Sequence, residues 1–275
     1  MTDAKRAIYT HGHHESVLRS HRWRTAENSA AYLLPHLAPG MSILDVGCGP
    51  GTITRDLASL VAPGRVLGID AAPEPLTAAR SDAAAAGIDN VEFALGDTYS
   101  LPGDDGTFDV VHAHQVLQHL ADPIAALREM ARVCRAGGLI AVRESDYGAM
   151  TWFPDDPLLD RWLTVYHEVA RANGAEPDAG RRLLSWAHAA GLIDVTASAS
   201  TWCFATPGDR HWWGGLWAER VTGSALAEQA VAKDVATSGL LAEIATAWRR
   251  WADHPDGWFA VTSAEILCRA PVRTE

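Results

Sequence analysis

Five short apolar segments occur in the first half of the chain, and helix-forming stretches separate them. The segments cover residues 43–46, 65–70, 91–95, 108–113 and 139–144. Short apolar runs that alternate with helices are typical of a parallel sheet with helices on both faces. The pattern predicts an α/β fold of the doubly wound, Rossmann-like type.

Helices are expected on both sides of this core in the sequence. Residues 13–38 carry apolar positions at helical spacing and stop at Pro39-Gly40. Two further helices are predicted at 157–173 and 179–190, separated by a turn that contains glycine and proline. One of them should form the crossover to the next strand.

Two more strands are predicted near the end of the chain, at 196–206 and 258–268. The segment between them, 208–256, is too long for a hairpin connection. We therefore expect a helical insertion before the last strand that covers the active site. The expected parts of one domain spanning 1–275 are an N-terminal helical lid (1–40), a cofactor-binding core (41–147), crossover helices with a strand (148–207), a helical cap (208–257) and a closing strand (258–275).

The segment ILDVGCGPGT contains the first predicted strand and the glycine-rich loop that follows it. Gly47, Gly49 and Gly51 permit a tight turn and close approach of a ligand to the backbone. Thr52 stands where the dinucleotide fingerprint requires a third glycine or alanine. The Asp45 carboxylate would repel a pyrophosphate, but it suits a ligand with an ammonium and a sulfonium. The loop therefore favours S-adenosylmethionine over a nicotinamide dinucleotide.

The strands that follow end in polar residues at the same edge of the predicted sheet. Asp70 ends the second strand, at about the distance from the glycines where ribose-binding carboxylates occur. Asp97 follows the third strand and is expected to bind the adenine amino group. His114 follows the fourth strand, where the sheet edge is expected to meet the reactive end of the cofactor.

These segments together resemble the class I S-adenosylmethionine-dependent methyltransferases. The resemblance is closest to the branch of the ubiquinone and menaquinone biosynthesis C-methyltransferases (methyltransferase type 11), and it covers residues 41–147. Its motifs are LDVGCGPGT (44–52), GID (68–70), GD (96–97), FDVV (108–111), LQHLADP (117–123) and RVCRAGG (132–138). It implies a seven-stranded sheet whose last strand is antiparallel, with the cofactor across the carboxyl ends of the first four strands.

The resemblance also implies that N-terminal helices close over the cofactor. Tyr9 and His14 are expected over its methionyl part, and Arg24 is either a partner of the methionyl carboxylate or a solvent-facing helix residue. The full set of predicted cofactor-binding residues is Tyr9, His14, Arg24, Asp45, Gly47, Cys48, Gly49, Gly51, Asp70, Ala71, Gly96, Asp97, Thr98 and His114.

Methyl transfer from a sulfonium depends mainly on holding a nucleophile in line with the leaving sulfur. A general base is needed only where the nucleophile must lose a proton, and histidine suits that task near neutral pH. His114 is the predicted base, whereas His119 either acts in catalysis or orients its loop. Glu144, Asp146 and Tyr147 are expected on the same rim, where they would bind or polarise the acceptor.

Composition excludes several classes of partner. The chain has 23 Lys plus Arg against 34 Asp plus Glu, a formal charge of -11, and it has no basic run that could follow a phosphate backbone. Nucleic acid is therefore not expected as a substrate. The N-terminus lacks the apolar region of a signal peptide, and no stretch is long and apolar enough to span a bilayer. A cytoplasmic protein is expected.

Metal binding is not expected either. The four cysteines are widely separated and form no CxxC pair. His11, His13 and His14 are close in sequence, but there is no clear partner carboxylate or fourth ligand near them. The tryptophans of the insertion have two interpretations, since helical spacing is typical of packing residues and also compatible with an aromatic substrate pocket. These residues are Trp212, Trp213, Trp217, Trp248 and Trp251.

The sequence predicts an S-adenosylmethionine-dependent methyltransferase that acts on an oxygen, nitrogen or carbon nucleophile of a small aromatic or amphipathic metabolite. Two alternatives remain open at this point. One is a protein that binds S-adenosylmethionine without catalysis, and the other is a nicotinamide-dependent oxidoreductase on a similar sheet.

Overall fold

The predicted apolar segments form the strands of one mixed sheet. The structure is a computed structural model that describes Thr10, Gly12 and residues 14–272. The strands are β1 (Ile43–Val46), β2 (Val66–Asp70), β3 (Val91–Leu95), β4 (Phe108–His114), β5 (Cys134–Ser145), β6 (Thr151–Phe153), β7 (Ile193–Phe204) and β8 (Trp258–Arg269).

The sheet has the topology that the resemblance implied. Strands β1 to β5 are parallel in the order β3-β2-β1-β4-β5, and β8 pairs antiparallel with β5. Strand β7 pairs antiparallel along the other side of β8. The predicted α/β sheet with an antiparallel last strand is confirmed, with eight strands in place of the expected seven. The short strand β6 was not predicted, and it pairs with the first residues of β8 beyond the end of β5.

Helices surround the sheet and form the insertion before β8. They are α1 (Glu15–Arg22), α2 (Ala26–Ser29), α3 (Thr52–Val61), α4 (Pro73–Ala85), α5 (Pro123–Val133), α6 (Pro157–Ala172), α7 (Leu183–Ala190), α8 (Pro207–Gly223), α9 (Ala225–Ala232) and α10 (Ser238–Asp253). None of the helices in the described ranges is long and apolar enough to cross a membrane.

The N-terminal helical pattern is divided into separate elements. Helix α1 ends at Arg22, α2 follows, and a 3-10 turn covers Leu34–His36. The division occurs at Thr25, whose backbone is extended and whose side chain accepts the N–H of Asn28. The Asn28 side chain in turn accepts the N–H of Thr25. This reciprocal capping starts a new helix and sets the direction of the chain over the sheet.

Gly137 and Gly138 lie inside β5, which is a bulged strand, and not at the end of a helix. Helix α5 already ends at Val133, and β5 begins at Cys134, opposite Phe108. A Cβ on Gly138 would come within 2.7 Å of the Cys134 sulfur and 2.8 Å of a backbone oxygen. The glycine is therefore needed because the strand folds back closely on itself at the bulge.

The helical insertion shares a tryptophan-rich core with α6 and β8. Trp162 of α6 packs edge-on against Trp217 and Trp248, with ring centroids 4.6 and 4.9 Å away. Trp251 and Phe259 complete this fully buried cluster. Large buried aromatic side chains contribute strongly to stability. The packing interpretation therefore holds for Trp217, Trp248 and Trp251, and the cluster fixes the insertion against the sheet.

Candidate active site

A cavity of about 990 Å³ opens at the carboxyl ends of the parallel strands. The strand order reverses between β1 and β4, and open α/β sheets bind ligands at such a point. Loops after β1 to β4 line one end, β7 and α8 line the other, and α1 contributes lining residues beside the glycine loop. The volume is at the top of the range of roughly 300–1,000 Å³ for small-molecule sites. The cavity therefore has room for two ligands side by side.

The glycine loop forms the floor of the cavity, and its three glycines all have positive φ. A Cβ added at Gly49 would have only a His21 ring nitrogen, 3.9 Å away, within contact range, so the backbone there is open to a ligand. Gly51 differs, because a Cβ there would lie 2.7 Å from the Phe93 ring. Gly51 does not line the cavity. The absence of a side chain at Gly51 lets Phe93 of β3 and Ala79 of α4 pack closely, and its predicted contact with the cofactor stays a prediction.

Asp45 lies beneath the glycine loop with only 3% of its surface exposed. Its carboxylate accepts a 2.6 Å hydrogen bond from the Thr54 hydroxyl and lies 2.7 Å from Nδ1 of His112. Both oxygens are therefore engaged within the protein. Asp45 contributes a fixed negative charge at the cavity floor and ties β1 to α3 and β4.

Asp70 and Asp97 line the same end of the cavity. One oxygen of Asp70 accepts the N–H of Gly49 and the other accepts the N–H of Ala72, both at 2.9 Å. Asp97 accepts the N–H of Tyr99, also at 2.9 Å. Each carboxylate is thus oriented by backbone amides. Its remaining lone pairs are available to a ligand.

Four smaller residues that we predicted for the cofactor also line this end, namely Cys48, Ala71, Gly96 and Thr98. Burial and the nearby acids Asp45 and Asp70 raise the pKa of the Cys48 thiol far above its ordinary value. The thiol therefore stays protonated, and Cys48 acts as a packing residue and not as a nucleophile.

Arg24 is hydrogen-bonded to the loop after β4, so it is not simply a solvent-facing residue. Its guanidinium donates a 2.6 Å hydrogen bond to the side-chain oxygen of Gln115, and it lines the cavity. Gln115 has a φ of 54°, unusual for a residue with a side chain, and its amide donates to the hydroxyl of Ser145. The sequence did not indicate Gln115, which joins the N-terminal segment to β4 and β5.

His114 lies at the centre of the cavity wall with 6% of its surface exposed. Neither ring nitrogen has a hydrogen-bond partner among the residues that the structure describes. Burial lowers the pKa of His114 well below its ordinary value, and Arg24 and Arg143 lower it further. The imidazole is therefore neutral at physiological pH. It is a weaker base than an ordinary histidine.

His119 also lines the cavity, and burial lowers its pKa to about 3, with a smaller effect from Arg24. The Gln118 amide lies 3.1 Å from its Nε2, so this nitrogen accepts the hydrogen bond. Such a histidine is neutral and fixed in one tautomer. These features agree with the interpretation that His119 orients its loop.

Glu144 does not lie on the cavity rim where we predicted it. It is fully buried, and its carboxylate accepts the backbone N–H groups of Val116, Leu117 and Gln118 at 2.9, 2.7 and 3.3 Å. Burial raises its pKa to about 7, although these hydrogen bonds oppose the rise. Glu144 therefore supports the loop after β4 and is not in a position to touch an acceptor.

The two other residues predicted on that rim have different environments. Asp146 is buried and accepts hydrogen bonds from the backbone and guanidinium of Arg181, so it fixes the segment before α7. Tyr147 lines the cavity, and its ring stacks on Tyr166 at a centroid distance of 3.8 Å. Of this group, Tyr147 is the residue that reaches the cavity.

The N-terminal segment covers the cavity with residues other than those expected. Leu18, Ser20 and His21 of α1 line the cavity. His14 does not line it, because its ring accepts the N–H of Ser16 and caps the start of α1. Tyr9, His11 and His13 lie outside the described residues. No cluster of potential metal ligands occurs in the part of the chain that the structure describes.

Aromatic side chains line the far end of the cavity, and we call them the aromatic wall. They are Trp23, Tyr147, Trp202, Trp212 and Trp213. The ring centroid of Trp23 lies 5.2 Å from that of Trp202 and 5.4 Å from that of Trp212. The segment after α1 therefore contacts both β7 and α8 in this wall. Trp212 and Trp213 line the cavity, unlike the other tryptophans of the insertion, and the pocket interpretation stays a prediction for these two. Trp202 also contacts His114, with ring centroids 5.8 Å apart.

Comparisons with known proteins give a consistent result. A family model described as a methyltransferase domain matches residues 37–200. An uncharacterized methyltransferase of Schizosaccharomyces pombe is 37% identical over 267 residues, which cover 94% of this chain and 95% of that protein. Demethylmenaquinone methyltransferase of Lactococcus lactis is 36% identical over 109 residues, which cover 39% of this chain and 43% of that protein.

A solved structure agrees in fold. The YcgJ protein of Bacillus subtilis matches with a TM-score of 0.59 at 20% identity, and the match covers 90% of this chain and 100% of that chain. The family match decides against the nicotinamide alternative. The sheet topology, the acids at the strand ends and these similarities show that the chain belongs to the class I S-adenosylmethionine-dependent methyltransferases.

Proposed function

We propose that this protein transfers the methyl group of S-adenosylmethionine to a small molecule held against the aromatic wall. The observation that carries the proposal is the division of one cavity into two chemically different ends. Acids in or directly after β1 to β3 line one end, and aromatic side chains from β7, from α8 and from Trp23 after α1 line the other. His114 lies between them, where donor and acceptor would meet.

The carboxylates at the acidic end suit S-adenosylmethionine in charge. Asp70 is assigned to the ribose hydroxyls, since its amide-oriented oxygens keep further lone pairs for two donors. Asp97 is assigned to the adenine amino group. The open backbone at Gly49 accommodates the methionyl part, with the buried charge of Asp45 beneath it. When bound, S-adenosylmethionine supplies a methyl group on a positively charged sulfur.

The aromatic end fits a flat, largely apolar acceptor. Trp213 and Tyr147 are buried, and Trp23 and Trp212 are only partly covered, so indole and phenol faces are available for contact. Rigid aromatic faces bind planar rings with little loss of side-chain entropy. The similarity to a demethylmenaquinone methyltransferase supports an aromatic acceptor of this kind.

The catalytic contribution that we propose for this chain is mainly positioning. Glu144 holds the loop after β4 through three backbone amides, and Gln115 joins that loop to Arg24. These contacts fix His114 and Val116 beside the reacting centre. Holding two reactants in line supplies much of the rate of such a displacement.

The test is transfer of an isotopically labelled methyl group to a panel of naphthols, hydroxyquinones and aromatic amines, with the products detected by mass spectrometry. Trp212→Ala should reduce transfer by about tenfold or more, because a ring face in the aromatic wall is lost. Trp258→Ala is the matched control, since Trp258 is 39% exposed and does not line the cavity. Binding of S-adenosylmethionine without transfer to any acceptor would favour the non-catalytic alternative.

A further inference from the structure

Three serine hydroxyls lie next to one another on three neighbouring strands. Ser263 of β8 is the register partner of Ser145 of β5 on one side and of Ser200 of β7 on the other. Register partners in antiparallel strands point to the same face of the sheet, with Cβ atoms roughly 4.5–5.5 Å apart. The three side chains therefore form one line across the sheet, and we call them the serine row.

The two ends of the serine row have different surroundings. Ser145 is buried and lines the cavity, where the side-chain amide of Gln115 donates a 2.5 Å hydrogen bond to its hydroxyl oxygen. At the other end Ser200 donates a 2.5 Å hydrogen bond to the carboxylate of Glu265. The second oxygen of this carboxylate accepts the hydroxyl of Ser198, which is exposed. The row thus leads from the cavity to a carboxylate beside the surface of the edge strand.

Ser263 lies in the middle of the row, and its side chain is fully buried. Its hydroxyl oxygen has no hydrogen-bond partner among the residues that the structure describes. A buried hydroxyl without a partner costs free energy that an alanine at the same place avoids. Packing therefore gives no reason for a serine here. Rotation about the Cα–Cβ bond turns this hydroxyl toward its neighbours in the row.

The hydrogen bonds at both ends set one direction for the hydroxyl protons. A hydroxyl has one hydrogen to donate and two lone pairs. Ser145 accepts from Gln115, and Ser200 accepts from Nε of Arg143 at 3.1 Å. The Ser200 hydrogen already bonds to the carboxylate at the end of the row. One lone pair of Ser145 thus remains for a donor in the cavity, and Ser263 completes the row by accepting from Ser145 and donating to Ser200.

Methyl transfer to a nucleophile that carries a hydrogen releases one proton, and the histidines of the cavity wall are poorly suited to accept it. Burial lowers the pKa of His114 well below its ordinary value. Burial also lowers the pKa of His119, to about 3. Glu144 does not line the cavity. A route from the cavity to a carboxylate outside it would supply the missing proton acceptor.

We infer that the serine row is a proton relay, which carries the proton lost by the acceptor to Glu265 and from there to solvent beside Ser198. The inference rests on the proposed function, and it assigns a path to the proton that the transferred methyl group replaces. It applies to any acceptor whose reacting oxygen, nitrogen or carbon atom carries a hydrogen.

Bonds and charges balance along this route. The bond between the nucleophile and the methyl carbon forms while the carbon–sulfur bond breaks, and the electron pair of the broken bond remains on sulfur. The proton of the nucleophile passes to Ser145 as Ser145 gives its own proton to Ser263, and the transfers that follow end on Glu265. The resulting carboxylic acid then releases a proton to solvent. Arg143, 3.3 Å from Glu265, favours this release because it pairs with the ionised carboxylate.

Ser263→Ala tests the relay, because it removes a hydroxyl that bonds to no residue in the described part of the chain. The rate is measured in a single turnover with labelled S-adenosylmethionine already bound. The probe is the naphthol, hydroxyquinone or aromatic amine of the panel that wild type methylates fastest. The variant should be about tenfold or more slower, a part of the roughly 10²–10⁴-fold effect of general-base catalysis. Its urea midpoint of unfolding should be no lower than that of wild type.

Two further readouts distinguish a relay from a change in packing. The solvent isotope effect on transfer should be larger in Ser263→Ala than in wild type, because proton removal then limits the rate. Ser200→Ala interrupts the same route, so the double variant should be no slower than the slower single variant. Ser200→Thr keeps the hydroxyl at a half-buried strand position and should stay within about threefold of wild type.

Thr262→Val is the matched control. Thr262 is the neighbour of Ser263 on β8, so its side chain points to the opposite face of the sheet, where its hydroxyl donates to the backbone oxygen of Ala149. The substitution removes a hydroxyl from the same strand without touching the serine row. Its transfer rate and solvent isotope effect should equal those of wild type.

An unchanged transfer rate in Ser263→Ala, or an equal loss in Thr262→Val, would overturn the inference and leave the proposed function standing. Binding of S-adenosylmethionine by wild type without transfer to any probe of the panel would instead refute the proposed function, and the relay with it.

Discussion

The backbone amide of Gly49 donates a 2.9 Å hydrogen bond to the carboxylate of Asp70. The contact joins the glycine loop after β1 to the end of β2, and the second oxygen of Asp70 is held by the amide of Ala72. The carboxylate is therefore oriented before a ligand arrives. Such preorganisation reduces the entropy lost on binding.

Gly51→Ala should destabilise the protein strongly. Gly51 has a φ of +73°, and a Cβ there would lie 2.7 Å from the Phe93 ring and 2.9 Å from the Cβ of Ala79. Backbone strain and overpacking together predict a loss of roughly 2–5 kcal/mol in the free energy of unfolding, measured with urea. The control Gly87→Ala has a similar φ of +68° with open space around it, so about 1–2 kcal/mol is expected. Equal losses for the two variants would contradict the packing role of Gly51.

The contribution of Glu144 to the stability of the protein should decrease as pH rises toward 7. The folded pKa of Glu144 is raised to about 7 from its ordinary value of 4.5, so the folded state binds more protons than the unfolded state between these values. Its contribution to stability therefore falls through this window and is constant above it. The expected change over the whole window is roughly 3 kcal/mol, since each pKa unit corresponds to about 1.4 kcal/mol.

Glu144→Gln isolates this effect, since the other titrating groups remain in both proteins. The difference in unfolding free energy between wild type and variant should change with pH from 5 to 7. Glu129→Gln is the control, because hydrogen bonds from Arg132 lower the pKa of Glu129 and keep it ionised in this range. A pH-independent difference for Glu144→Gln would show that the carboxyl is not a buried acid with a raised pKa.

His114→Asn should retain turnover within about tenfold of wild type, with the acidic limb of its pH profile unchanged. The reason is that a neutral imidazole beside Arg24 and Arg143 is a poor proton acceptor. Loss of a true general base usually lowers the rate by about 10²–10⁴-fold. The exposed His188 provides a control, His188→Asn. A loss of rate of about 10²–10⁴-fold in His114→Asn but not in His188→Asn would instead support the prediction that His114 is the general base.

The sequence was most informative where the site depends on local sequence patterns. Asp45 lies one residue before the end of β1, Asp70 ends β2 and Asp97 follows β3. Parallel strands bring their carboxyl ends together without further information. The order of the strands and the antiparallel last strand followed from the family resemblance. These features need only local patterns and a known topology.

The sequence was least informative where the site depends on contacts between distant elements. Trp23 after α1 and Trp202 on β7 meet through tertiary packing, and no spacing along the chain indicates this contact. Gln115 became visible only through its bonds to Arg24 and Ser145. Glu144 lies near the end of β5, just before Asp146 and Tyr147, but its side chain lies under the neighbouring loop. Side-chain direction at a strand end depends on the neighbouring loop, which the pattern does not specify.

The most direct measurement is calorimetric titration of the protein with S-adenosylmethionine and S-adenosylhomocysteine, repeated on Asp70→Ala. Asp82→Ala is the matched control, because Asp82 is an exposed acid on α4. Both ligands should bind wild type and Asp82→Ala, and Asp70→Ala should bind about 10- to 100-fold more weakly, since hydrogen bonds to a charged group are lost. Circular dichroism verifies that Asp70→Ala is folded. No binding to wild type, or equal binding to all three proteins, would contradict a donor site at the ends of β1 to β3.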